Sequence, residues 1–487
     1  MRSRDQLDRF VVIGGGISGL SSAFYLLKEA AQRGREAHVT IVDPSERIGG
    51  KINTLRKAGF VIERGPDSFL ARKTPIIDLA FDLGIESELT GTNPAAKKTY
   101  ILHHGKLHPM PPGLVLGVPT EIAPFALTNL LSWGGKLRAM MDFVLPASKA
   151  QGDESIGDFL ARRVGAEVME RVAEPLLAGI YAGELRKLSL QATFPQFREA
   201  ERRHGSLIRG MRANKRKSAS APPAPSRLPA NLRSSMFLTF KGGLATMLDA
   251  LNEALSGVER RMGRKAVAFR QNDPQEDGPD SAPYEVLLSD GEILEADGIV
   301  ITAPAFEAAD LLEPHISVAA LRAVSYVSVA NVVMAFDKAE LGIQFDGSGF
   351  VVPRSEGTTI TACTWTSAKW LHSSPGDKVL LRCYVGRAGD EAVVDLPDDE
   401  LHEAVRRDIR QVMGITAEPL FTEITRLHHS MPQYPVGHVQ ETANMRAKLR
   451  TAMPGVWVTG AAFDGVGLPD CIRQGKEAAA IVYRAIE

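Results

Sequence analysis

The spacing of apolar residues near the N-terminus changes twice in forty positions. Residues 10–13 form a continuous apolar run of strand length. From Ile17, apolar residues recur at helical spacing (Leu20, Phe24, Leu27, Ala31) until Gly34 closes the helix. Residues 38–42 are again a short apolar run, ending at Asp43. Strand, helix and strand in this order predict a βαβ unit with parallel strands. Further on, 74–84, 153–182 (broken near Gly165) and 244–255 carry helical periodicity. Residues 265–270 and 284–288 read as strands, with Ser289-Asp290-Gly291 as a hairpin turn, and 299–301 and 456–459 as buried strands. Segments 331–336, 358–363, 378–385 and 419–427 alternate apolar and polar residues and predict a second, antiparallel sheet. A C-terminal helix begins at about Pro469, and no internal repeat is visible.

A chain of 487 residues holds about three domains' worth of sequence. With 44% hydrophobic and 24% charged residues it is neither wholly disordered, nor a coiled-coil rod, nor a disulfide-rich mini-domain. The net charge of −1 gives no global attraction to nucleic acid or to a membrane, so no nucleic-acid partner is expected. Three widely spaced cysteines, Cys363, Cys383 and Cys471, suit a reducing compartment, and no secretory signal is read at the N-terminus; a cytoplasmic protein is expected. Residues 107–135 carry only one charged residue, Glu121. Five prolines there (109, 111, 112, 119 and 124) argue against a membrane-crossing helix. A Pro-broken apolar patch of this kind rests on a membrane, lines a pocket or faces the core. Arg202–Lys217 holds seven basic residues and no acidic one, read as a solvated flank or an attractor of acidic ligands; 217–235 reads as a flexible loop.

The strongest chemical signal is Gly14-Gly15-Gly16-Ile17-Ser18-Gly19. It follows a strand and opens a helix, as a GxGxxG turn must if its backbone is to approach a pyrophosphate at the helix N-terminus. Asp43, 24 residues after Gly19 and followed by Pro44, stands where a carboxylate accepts from ribose hydroxyls and repels the extra phosphate of NADP. A second glycine turn, Arg47-Ile48-Gly49-Gly50-Lys51, favours FAD over NAD. At the far end, Val458-Thr459-Gly460-Ala461 and Asp464-Gly465-Val466-Gly467-Leu468-Pro469-Asp470-Cys471 form a strand, a glycine loop and a helix start, an anion-friendly terminus. The adjacent pairs His103-His104 and His428-His429 suit joint metal binding poorly, and no metal site is expected.

With these segments in place the sequence resembles the porphyrinogen oxidase family of FAD enzymes. The stretches that carry the resemblance are VVIGGGISGL, RIGGKINT, ERGPDSFLARK, LHPMPPGLVLGVPTEIAPF, EPLLAGIYAGELRKLSLQATFPQF, ITACTWTSAKW, SMPQYPVGH and TGAAFDGVGLPDCIRQG. They run the length of the chain and fade at 213–235 and 271–283. The resemblance implies a monoamine-oxidase-like architecture, α/β with an α+β second domain. A Rossmann-like FAD-binding domain would use 1–65, 240–305 and 440–487. An antiparallel-sheet substrate domain would use 66–95, 183–239 and 306–439. A helical subdomain able to touch a membrane would use 96–182. By the same resemblance, FAD contacts fall on Gly14 to Gly19, Asp43, Lys51, Gly65, Pro66, Asp67, Ser68, Val267, Val466, Gly467 and Leu468. Leu427 stands where close relatives have Trp, and Asp43 where many have Glu.

The implied reaction is six-electron oxidation of coproporphyrinogen III to coproporphyrin III in haem biosynthesis. Flavin N5 accepts hydride, O2 reoxidises the flavin and hydrogen peroxide is released; no side chain is assigned a catalytic role. Protoporphyrinogen IX is the alternative substrate, and an amine oxidase or carotenoid desaturase the more distant one. Lys73, with Arg72 beside it, is the expected partner of a substrate carboxylate, with Arg209 and Arg212 as steering charges. Ala178, Gly179 and Ile180 are small or apolar residues that would let the macrocycle approach the flavin. A haem-pathway enzyme or a membrane surface is the expected macromolecular partner.

Overall fold

A computed structural model describes residues 7–220, 227–273, 275 and 281–487. Strand β1 (Asp8–Ile13), helix α1 (Ile17–Gln32) and strand β2 (Ala37–Asp43) form the expected βαβ unit. They belong to a five-stranded sheet in the order 259–262, β2, β1, 298–301, 456–458, parallel throughout. The central strands read as unbroken apolar runs because both faces are covered. On one side, α1 packs with the C-terminal helix Leu468–Ile486. There Gly475 allows an approach no side chain would permit: its Cβ would lie 2.7 Å from the Ser18 carbonyl. On the other side the cover is helix Ala305–Leu312 and the antiparallel strands Ala266–Gln271, Tyr284–Leu288 and Ile293–Ala296. The loops that follow Ile13, Asp43, Ile301 and Val458 emerge at the carboxyl edge of this sheet, where open α/β sheets bind ligands.

The predicted second sheet has seven strands, in the order 421–433, 325–337, 378–385, 360–365, 347–351, 98–103, 106–109. The pair 347–351 with 98–103 is parallel and the others are antiparallel. Two strands are longer than the alternation implied. Ser325–Asp337 and Phe421–Gln433 pair with each other across a bulge at 327–329, and the bulge interrupts the alternation. Residues 98–109, expected in the helical segment, form the edge hairpin of this sheet instead. The hairpin was masked because His103, His104 and His108 make its turn look polar and irregular.

A third layer is helical. Helices 156–164, 174–181, 195–204 and 207–220 share a core with Phe125, Phe159, Leu177, Phe197, Leu207 and Ile208. The break expected near Gly165 is present (φ +91°), followed by a π-helical turn at Met169–Ala173. The basic run is helical: it covers the end of Pro195–His204 and most of Leu207–Ser220, so 217–220 belong to a helix rather than a loop. Of the expected loop, 221–226 lie outside the described residues. Fully buried Arg163 ties this layer together. Its Nε donates to Asp142 (2.5 Å), Nη1 reaches Glu201 (3.4 Å), and further N–H groups meet four backbone carbonyls. These hydrogen bonds offset the cost of burying the guanidinium.

Candidate active site

The glycine turn after β1 is held by its own backbone. Gly14 N–H donates to Val42 O at 2.8 Å, and Gly14 (φ +114°) has no room for a Cβ, which would sit 2.3 Å from Thr302 Oγ1. Gly16 is the N-cap of α1, with no side-chain cap and nothing within 4 Å of its Cβ position. The first-turn N–H groups therefore open onto free space, as an anion site requires. Asp43 accepts from Gly15 N–H (2.6 Å, Oδ2) and from Ser45 N–H (2.8 Å, Oδ1). A carboxylate offers about four lone-pair sites, so two remain for a pair of ribose hydroxyls. Pro44 is exposed beside it.

The second glycine turn docks on the first. Gly49 N–H donates to Gly15 O (2.7 Å), and a Cβ on Gly50 would lie 3.1 Å from Gly16 Cα. Arg47 does not project towards the glycine turn as a free cation. Its guanidinium donates to the carbonyls of Ile48, Gly50 and Ile52 and so braces this second turn. Lys51 has accessible surface yet is crowded on nearly every side, and the resulting desolvation lowers its pKa; its Nζ donates to Ser430 O in the other sheet. Val267 is exposed on a strand whose approach is fixed by Arg264 N–H donating to Asp43 O at 3.2 Å. Leu427 is half-buried opposite Val329, and Val466, Gly467 and Leu468 line the uncapped N-terminus of the C-terminal helix. Burial pushes the Cys471 thiol up to about 11, so it stays protonated and is no nucleophile at neutral pH. This set of glycines, one acid and two open helix N-termini fits a dinucleotide, with Lys51 beyond it.

Residues 64–68 link the hairpin strand Phe60–Glu63 to the short strand Phe69–Leu70, and the antiparallel sheet holds them. Asn331 Nδ2 donates to Arg64 O (3.0 Å), and Arg382 Nη2 donates to Gly65 O. Pro66 follows, and Asp67 accepts from Ser68 Oγ (2.7 Å) and pairs with Lys369 (3.4 Å). Burial opposes ionisation of Asp67, but Lys369 and Arg382 outweigh it and hold the pKa down at about 2. Tyr384 adjoins this cluster: its ring covers the Arg382 guanidinium at 4.9 Å and its hydroxyl is 3.4 Å from Thr364 Oγ1. The sequence reading missed Asn331, Lys369, Arg382 and Tyr384. Asn331, Arg382 and Tyr384 come from strands of the antiparallel sheet and Lys369 from the short helix Thr366–Lys369 that follows one of its strands; all lie some 300 residues from the turn, and no local motif marks them.

Lys73 is committed to a partner: its Nζ donates to Asp470 at 2.5 Å, in the first turn of the C-terminal helix. Arg72 is exposed. Ala178, Gly179 and Ile180 occupy the last turn of the Glu174–Tyr181 helix, with Gly179 and Ile180 exposed. Burial and then the Asp470 charge raise the pKa of Tyr181, so the end of this helix lies within electrostatic reach of the Lys73–Asp470 pair. Arg209 stacks on Phe143 at 5.6 Å in the helical layer, and Arg212 lies further along the same helix. Among the described residues no group of three or more His, Cys, Asp or Glu is arranged to hold a metal ion.

One buried acid near the site carries a pH prediction. Glu63 accepts from Leu244 N–H (2.6 Å) and Thr54 Oγ1 (2.9 Å), but burial dominates and pushes its pKa up from 4.5 to about 7. The folded state therefore holds this proton more tightly than the unfolded one. The associated stability is complete below pH 4.5 and is lost as pH rises to about 7, a change on the order of 3 kcal/mol. Glu63→Gln removes the titration, so urea midpoints of the variant stay flatter than wild type across this window. Parallel profiles for the two proteins would contradict the assignment.

The parallel nucleotide-binding sheet with its two glycine turns and the antiparallel second sheet together define a flavin-dependent oxidoreductase. The family model described as flavin containing amine oxidoreductase matches residues 17–483, and the chain belongs to this family, with FAD as its cofactor. The chain is 45% identical to the coproporphyrinogen III oxidase of Bacillus subtilis, covering 96% of each chain. It is 42% identical to the enzyme of that name from Staphylococcus aureus, covering 96% and 97%. The chloroplastic protoporphyrinogen oxidase of Oryza sativa is 30% identical, covering 96% and 87%. Among solved structures, one described as a protoporphyrinogen oxidase from Exiguobacterium superposes with a TM-score of 0.83 at 35% identity, covering 97% and 98%. A putrescine oxidase superposes at 0.69 with 15% identity, covering 99% and 100%, a likeness of fold alone.

Proposed function

We propose that this protein oxidises coproporphyrinogen III to coproporphyrin III in haem biosynthesis, with O2 as final acceptor and hydrogen peroxide as by-product. The observation that carries the reading is 45% identity over nearly the whole of both chains with an enzyme of that name. Protoporphyrinogen IX is the second substrate to weigh, because relatives named for it are also matched over most of their length. FAD supplies a two-electron acceptor, and three cycles remove six electrons. The chain's own contribution is position. The glycine turns and Asp43 hold the nucleotide, and Asn331 and Arg382 fix the 64–68 turn beside it. Lys73, released from Asp470, takes a substrate carboxylate while Ala178–Ile180 leave room for the macrocycle. The division of labour follows the three segments set out above, with 98–109 joining the substrate unit. The direct test is anaerobic mixing of the FAD-loaded protein with coproporphyrinogen III. The reading expects the yellow flavin absorbance to bleach within a turnover and to return on admission of air; no bleaching would contradict it.

Where the protein sits in the cell belongs to the same proposal. No described helix is long and apolar enough to cross a membrane. The helical layer nevertheless exposes Leu127, Trp133, Leu137, Met141 and Val144, three of them more than 70% accessible (Leu127 80%, Trp133 72%, Val144 78%). The basic Leu207–Ser220 helix lies alongside, Arg209 stacking on Phe143. Apolar side chains rimmed by cations suit peripheral contact of a cytoplasmic protein with an anionic lipid surface. Co-sedimentation with vesicles rich in phosphatidylserine should fall severalfold in the double variant Trp133→Ser, Leu137→Ser. Equal sedimentation of both proteins would exclude this surface.

A further inference from the structure

Asp470 and Lys73 approach the last turn of the Glu174–Tyr181 helix from one set of elements; a second cation approaches it from another. Strand Lys378–Val385 leaves the sheet into the turn 386–390. Gly386 (φ +89°) is required there, since its Cβ would lie 2.6 Å from Val394 and 2.7 Å from Ser328 O. The turn then meets the helix end, with Ala388 N–H donating to Ala182 O at 2.7 Å. Arg354 clamps the two together: Nε donates to Glu174 Oε1 (2.8 Å) and Nη1 to Ala388 O (3.0 Å).

Arg387 sits within this turn. It is only 6% exposed, yet among the described residues its Nε has no hydrogen-bond partner. Its one ion pair there, Nε to Asp390 Oδ2, is 3.6 Å long, and the Asp390 side chain is 50% exposed. The other acids nearby are engaged: Glu174 with Arg354, and Glu391 with Ser328 N–H at 2.9 Å. Burial, reinforced by the Arg354 charge, lowers the Arg387 pKa. A guanidinium N–H taken out of water without a hydrogen-bond partner carries a desolvation cost, and an anion held in the planar fork of the group offsets it well.

We propose that Arg387, backed by Arg354, is a second carboxylate subsite for the substrate, distinct from Lys73 and reached along the same helix end. The inference rests on the porphyrinogen reading. A tetracarboxylate carries acidic arms all round its rim and can meet cations on two separate elements. A dicarboxylate carries them on one edge and can satisfy only one. Arg387 thereby becomes a residue that discriminates between the two porphyrinogens.

The test is equilibrium titration of the FAD-loaded full chain with coproporphyrin III and with protoporphyrin IX, followed by porphyrin fluorescence. Arg387→Met should weaken coproporphyrin III about tenfold and protoporphyrin IX less than about threefold, with Arg387→Lys between wild type and Met. Flavin content and Tm should not change. Asp390→Asn, which removes the competing carboxylate, should bind coproporphyrin III at least as tightly as wild type. Equal affinity of wild type and Arg387→Met, or an equal loss for both porphyrins, overturns the subsite. So does a lowered Tm in Arg387→Met with the affinity ratio intact, the signature of a merely structural pair. If wild type binds neither porphyrin, the porphyrinogen reading falls and the subsite with it.

Discussion

Gly19→Val should yield a chain purified with less than about a tenth of its flavin. A Cβ at this position would lie 1.8 Å from Gly14 O and 3.0 Å from Thr302 Oγ1, so α1 must move away from β1 to admit it. That movement opens the turn whose N–H groups would meet the pyrophosphate. Overpacking of this kind costs roughly 1–3 kcal/mol of stability, within what a chain of this size tolerates. The main loss therefore falls on cofactor retention. Gly16→Ala is the informative companion, because nothing lies within 4 Å of its Cβ position. It should fold with unchanged stability and still lose flavin affinity, since the added methyl enters the space left for the ligand. Flavin-to-protein absorbance ratios after gel filtration check both, and full flavin content in Gly19→Val would overturn the assignment of this turn.

Arg382→Met should be the most damaging single change on the antiparallel sheet. Arg382 is 4% exposed, donates to Gly65 O, stacks on Tyr384 and offsets the Asp67 charge. Its loss leaves Asp67 paired with Lys369 and removes a support from the 64–68 turn. Breaking a buried charge arrangement by deleting one partner costs about 3–5 kcal/mol. Asp67 has a folded pKa below its unfolded 3.8, so it contributes stability above pH 3.8 that disappears as pH falls through about 2. In Arg382→Met that contribution shrinks at neutral pH. Stability measured by urea at pH 7 should drop by roughly 3 kcal/mol, while the wild-type advantage narrows below pH 3. Arg382→Lys keeps the charge without the fork and should fall between. A Met variant as stable as wild type at pH 7 would show that the charges around Asp67 are not coupled as described.

The parts of the molecule legible in the sequence are those encoded locally. The βαβ unit was legible because strand, glycine turn, helix and acid lie within Asp8–Asp43, where each spacing has one physical reading. The strand Lys378–Val385 was legible with its bounds although Val379–Cys383 are buried on both faces, because Gly376 before it and Gly386 after it punctuate the run. The edge hairpin 98–109 was not, because its polar histidine turn hides the period. Arg47 was legible only as part of the second glycine turn; that its guanidinium donates to three backbone carbonyls of this turn is a tertiary detail the sequence does not carry. Lys73 was read as the partner of a substrate carboxylate; the carboxylate it meets in the structure, Asp470, lies 397 residues away and carries no local signal. Arg382, Lys369, Tyr384 and Arg387 carry no sequence signal of their own. Their proximity to Gly65, Asp67 and Ala182 is set by strand register in the second sheet, a tertiary property.

A site built for a tetracarboxylate porphyrinogen shows itself most directly in steady-state kinetics in air on the FAD-saturated protein. Initial rates with coproporphyrinogen III and protoporphyrinogen IX, followed by porphyrin fluorescence, give kcat/KM for each. The expected ratio is at least tenfold in favour of coproporphyrinogen III, equivalent to about 1.4 kcal/mol of additional transition-state binding. A ratio reversed in favour of protoporphyrinogen IX, or no turnover of either by protein whose flavin is bound and reducible, would contradict it.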